Sequence, residues 1–130
     1  VEAPLHPEIA SLLLRMEDRA EPNVLDVARL LAEHAPWHRR FARSLVWHMS
    51  LPLHKPPVKD ELATVMSQLI SENRHVADAL CSALESDRPC LVQRTLDSIL
   101  RLERRHPLEA KELVSPRMAQ LLAACLWSDD

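Results

Sequence analysis

Glycine is absent from this chain, and proline occurs ten times. Turns of types II, I′ and II′ need residues at positive φ, which glycine supplies without steric cost. Sheets also draw on aromatic and β-branched residues, yet this sequence has one phenylalanine and no tyrosine. Strand hairpins are therefore poorly served, and the chain is expected to be all-α. Its prolines then have to stand where they do least harm. Inside a helix each costs roughly 3 kcal/mol, but at the first helical position the missing N–H has no intrahelical partner to lose.

Taking the prolines as helix starts, the apolar residues fall into the i, i+3, i+4, i+7 pattern. Pro7 precedes Ile9, Leu12, Leu13 and Met16, and Pro22-Asn23 precedes Val24, Val27, Ala28 and Leu31. Pro36 opens a segment with Trp37, Phe41 and Leu45, and Pro56-Pro57 leads into Leu62, Val65, Met66 and Leu69. Asn73 is a candidate cap for a helix carrying Val76, Leu80 and Leu84, and Pro89 begins one with Val92, Leu96, Ile99 and Leu100. Pro107 starts a short piece, and Ser115-Pro116 precedes Met118, Leu121, Leu122 and Cys125. The expectation is about seven or eight antiparallel helices joined by short connections. Residues 50–57, SLPLHKPP, read as an extended crossover. At 130 residues the chain is expected to form a single helical domain spanning 1–130. Val1 in place of an initiating methionine suggests a piece of a longer chain.

The stretch over residues 80–102, LCSALESDRPCLVQRTLDSILRL, resembles a HEAT repeat, in which one helix ends in a polar turn and a proline starts the next. Leu80, Leu84, Asp87, Pro89, Val92, Arg94, Leu96 and Leu100 carry the likeness. A poorer copy covers residues 30–47, with Pro36, Arg40 and Leu45 in comparable places. The likeness covers about a third of the chain. It implies a HEAT- or armadillo-like α-solenoid fragment, a family of protein-binding scaffolds. A compact helical bundle is the alternative that the same periodicity permits.

Chemistry is thinly represented. Without glycine there is no nucleophile elbow, Walker A loop or dinucleotide fingerprint, so no enzyme and no cofactor are expected. Seven histidines raise the question of a metal. His34 and His38 are separated by Pro36, which ends one helix and begins another, and His38, His48 and His54 lack acid or thiol partners at ligand spacing. Surface or helix-terminal roles are expected for them, with no metal. Cys81, Cys90 and Cys125, an odd set without a CxxC pair, suit reduced thiols on or beside apolar helix faces and an intracellular setting, cytoplasm or nucleus. No apolar run spans a bilayer.

The net charge of −3 offers nucleic acid no global attraction, so local basic faces become the candidates. Wound at 100° per residue, residues 36–49 place Trp37, Phe41, Leu45 and His48 on one side and Arg39, Arg40 and Arg43 opposite, with Trp47 between Arg40 and Arg43. Arginine and tryptophan dominate interface hot spots, and Arg43 and Trp47 are spaced to stack. A second stripe comprises Arg94, Arg101 and Arg105, within pairing range of Asp97 and Glu103. If aligned, the two stripes would make one basic surface. The expected partner is another protein, presenting an acidic or amphipathic segment, and nucleic acid is the alternative. Leu126 and Trp127 extend the apolar face of the last helix, where a further helix or a second copy is expected to cover them.

Overall fold

The computed structural model describes residues 6–52 and 54–126. They form eight α-helices and no strand: α1 Pro7–Met16, α2 Val24–His34, α3 Arg39–Ser50, α4 Pro56–Leu69, α5 His75–Leu84, α6 Pro89–Arg105, α7 Pro107–Leu113 and α8 Pro116–Leu126. Five of them begin on a proline, where its fixed φ suits the helix and no hydrogen bond is sacrificed. No described residue has a positive φ, so the left-handed C-terminal cap is not used. Instead α2 and α6 each close on one last turn, with Ala35 N–H donating to Leu31 C=O and His106 N–H to Leu102 C=O at 2.7 Å, before the backbone leaves the helical region.

Two prolines act one step earlier than the periodicity suggests. Pro22 and Pro36 stand in the turns ahead of α2 and α3, which start at Val24 and Arg39. The Nδ1 atom of His38 accepts the Arg40 N–H at 3.1 Å and caps α3, as His6 caps α1 by accepting from Glu8 N–H. Trp37 therefore lies outside the helix and is 59% exposed. The expected Trp37–Phe41–Leu45–His48 face begins at Phe41, because a helical wheel cannot position a residue that is not helical. Similarly, the 50–57 crossover shrinks to 51–55. Ser50 closes α3 with its hydroxyl donating to Val46 C=O, and Pro56 and Pro57 fit the first turn of α4.

The helices make two layers. α1, α3 and α5 lie side by side in one, and α2, α4 and α6 in the other. The hairpins α1–α2, α3–α4 and α5–α6 connect them, and α3 also reaches α6. α7 folds back on α6, while α8 packs beside α5. One contiguous set of buried side chains runs from Leu13 on α1 to Met118 on α8, and Phe41 near the middle is wholly enclosed. Leu121, Leu122 and Cys125 rest partly buried against it.

Arginine–carboxylate pairs lace neighbours within each layer. Arg40 on α3 clasps Glu17 at the end of α1 with two hydrogen bonds. Arg29 on α2 meets Glu61 on α4 at 3.0 Å, Arg101 on α6 meets Asp60 on α4, and Arg117 on α8 meets Glu85 at the end of α5. Among the described residues the α3–α5 seam carries no such pair. Its link is the buried amide of Asn73, whose Nδ2 donates to Pro36 C=O at 2.8 Å and His38 C=O at 3.1 Å. Its Oδ1 accepts the His75 N–H at 2.9 Å. One side chain thus holds the starts of α3 and α5 together, and the two helices run in the same direction from that point.

Candidate functional site

The α3–α5 seam is open at the surface. Arg39, Arg43, Val46, Trp47 and Ser50 from α3 form one wall of a groove of about 710 Å³. Arg74, at the start of α5, and His75, Asp78, Ala79, Ser82 and Ala83 on the helix form the other, and Leu91 of α6 closes one end. Because the helices are parallel, the lining is sorted by chemistry. Arg39, Arg43, Arg74 and His75 gather where both helices begin, an end that already carries positive helix-dipole charge. Val46, Trp47, Ala83 and Leu91 gather where they finish. Arg39, Arg43, Arg74 and Asp78 are all exposed, and among the described residues none of them is ion-paired.

Trp47 is 38% exposed, its ring lying 5.1 Å from the His48 ring at 60°. With Arg43 it forms a ridge between the groove and a second depression of about 490 Å³ that also includes Glu17, Arg40 and Ser44. The hydrogen bonds from Arg40 hold the Glu17 carboxyl below the usual carboxylate range, with a smaller contribution from Arg43 across the ridge. At the basic end, Trp37 stands in a third hollow with Arg74 and His75.

His48 lies beneath the ridge, fully buried rather than at the surface. One ring nitrogen, Nε2, lies 2.7 Å from Met16 C=O and the other 3.0 Å from Nε2 of His54. A carbonyl only accepts, so His48 Nε2 donates; with both rings neutral, its Nδ1 then accepts from His54 Nε2–H. Burial pushes both imidazoles below their ordinary value. The Met16 carbonyl opposes this for His48, and Lys59 reinforces it for His54.

The residues expected to bind a partner separate into groups. Arg39, Arg43 and Trp47 share the groove, and Arg40 faces the neighbouring depression. Arg101 and Arg105 both turn to Asp60 on α4, not to Asp97 or Glu103. A long side chain on the α6 face against α4 reaches that carboxylate more readily than one on its own solvent face. Arg94 is exposed on α6, and none of these three arginines lines the groove. Leu126 is the last residue of α8, and Trp127 lies outside the described residues, so the proposed covered edge does too. The α5 wall was not anticipated: Arg74-His75 directly after the capping Asn73 is its only trace in the sequence. Of the cysteines, Cys81 is buried, with burial pushing its thiol up, and Cys125 is half-buried. Cys90, expected beside an apolar face, is exposed in the first turn of α6.

Among the described residues no three His, Cys, Asp or Glu side chains converge as metal ligands would, and no helix is long and apolar enough to cross a membrane. No family model, curated protein or solved structure matches the chain.

Proposed function

We propose that this chain is a protein-interaction scaffold module of a larger intracellular assembly, and that it engages its partner through the α3–α5 groove. The observation that carries this reading is the break in the ion-pair pattern. α1–α3, α2–α4, α4–α6 and α5–α8 are each joined by an arginine–carboxylate pair. At α3–α5 three exposed arginines border a half-exposed tryptophan, with no internal counter-ion engaged among the described residues. Arginine and tryptophan are the residue types that dominate protein interfaces. The layered hairpins suit the HEAT- and armadillo-like scaffolds that residues 80–102 resemble, since such arrays bind along their stacked helices.

Nucleic acid is the weaker reading. Two aligned arginine stripes would favour it, but Arg101 and Arg105 share Asp60 within the fold. The deciding experiment expresses the full-length protein in cells with Trp47→Ala plus Arg43→Ala and identifies cross-linked neighbours with and without nuclease. Loss of specific protein neighbours in the variant, unaffected by nuclease, is the expected result. Neighbours that persist in the variant, or that vanish on nuclease treatment, would overturn the proposal.

A further inference from the structure

We infer that the groove takes a bipartite, extended segment of a partner protein, with acidic side chains at one end and an apolar side chain at the other. This deepens the scaffold reading and rests on it. The two walls of the groove run in the same direction. Asn73 bonds the backbone on either side of Trp37 to the start of α5, so both helix N-termini lie at one end of the groove. That end carries Arg39, Arg43 and Arg74. Asp78 is the single carboxylate on the lining, which leaves a local excess of positive charge in a protein whose net charge is −3. The far end, at Trp47 and Leu91, offers apolar surface and no charged side chain.

Length then sets the spacing within an extended segment. Arg39 and Trp47 are eight residues apart on one helix, about 12 Å along its axis. An extended segment covers that distance in about four residues. The segment that fits therefore has one or two carboxylates, about three intervening residues and then a large apolar side chain, or the same order reversed. The carboxylates meet the guanidinium forks, which favour planar two-point pairing. The apolar residue covers the Trp47 ring. Recruiting arginines that have no internal partner also spares the breaking of a native ion pair, leaving only their desolvation and side-chain ordering to be offset.

The test uses fluorescein-labelled heptapeptides with Asp-Glu at one end and Leu-Phe at the other, in both chain directions, and the same peptides with Asn-Gln in place of Asp-Glu. Fluorescence anisotropy is expected to show one acidic direction binding at least about tenfold tighter than its amide counterpart. Arg43→Glu should abolish that preference, Trp47→Ala should weaken acidic and amide peptides alike, and Arg29→Ala, remote from the groove, should change neither. Equal affinity for acidic and amide peptides, or no binding by any of them, overturns the inference. So does a short oligouridylate that displaces the acidic peptide more effectively than unlabelled peptide does. If the peptides fail while Trp47→Ala still removes protein neighbours in cells, the scaffold reading stands and only this ligand chemistry falls. If those neighbours are unaffected, the scaffold reading fails first.

Discussion

His48 uses both ring nitrogens inside the protein, one on the last carbonyl of α1 and one on His54 of the connector into α4. This geometry suits a neutral pair. An imidazole that titrates below its ordinary 6.5 when folded, and at that value when unfolded, binds more protons in the unfolded state. Stability is thus fully present above about pH 6.5 and is lost as the pH falls through that value and on through the lower folded one. Urea midpoints at about pH 8 and about pH 5 should fall further for the native protein than for His48→Gln, which has no such proton to gain. Equal losses would show that His48 is not the group responsible. The tryptophans make a second residue-scale contrast. Trp37→Ala should cost less than about 1 kcal/mol because the ring is mostly in solvent, whereas Phe41→Ala should cost about 3–5. A Trp37 variant as damaged as the Phe41 variant in denaturant melts would return that tryptophan to the core.

Helix starts were legible because proline is informative where it is harmless: Pro7, Pro56, Pro89, Pro107 and Pro116 each open an element. Pro36 was misleading for a tertiary reason. Asn73, more than thirty residues away, takes the carbonyls of Pro36 and His38 and holds that stretch as a turn closed by His38 N–H on Ala35 C=O, so Trp37 never joins the helix. The same distance explains the half-read site. Arg39, Arg43 and Trp47 could be placed by winding α3 alone, but which helix would face them depends on layer stacking, which no local pattern records. Asn73 is accordingly the residue whose loss should be felt by two elements at once. Asn73→Ala removes the bond to His75 N–H and leaves the Pro36 carbonyl without its donor, while His38 C=O keeps the Ala42 N–H, at a cost of about 2–3 kcal/mol. Asn73→Asp keeps an acceptor for His75 but turns carboxylate oxygens toward two carbonyls. It should be no more stable than Asn73→Ala at neutral pH. Recovery of stability in the Asp variant would reduce Asn73 to a simple helix cap.

Across the whole molecule, the layered order α1–α3–α5 and α2–α4–α6 distributes stability unevenly. α3 touches α1, α2, α4, α5 and α6, whereas α8 leans chiefly on α5 and the seven-residue α7 on α6 and α4. In a stacked array each element is held by its neighbours alone, so the ends open before the middle. In a compact bundle all helices share one core and open together. Native-state hydrogen exchange distinguishes the two directly. Backbone amides of α3 and α4 should exchange only through global unfolding, with a free energy equal to that from denaturant melts. Those of α7 and α8 should exchange at a distinctly lower free energy, even though Met118 and Leu113 are buried, because fraying the last pair exposes one interface rather than two. The groove belongs to the protected middle, which matters for its proposed role: a partner segment would meet walls already in place and would have only itself to order. Exchange of α8 at the same free energy as α3 would mean that the eight helices behave as one cooperative bundle, and the repeat-array reading of the fold would then fail.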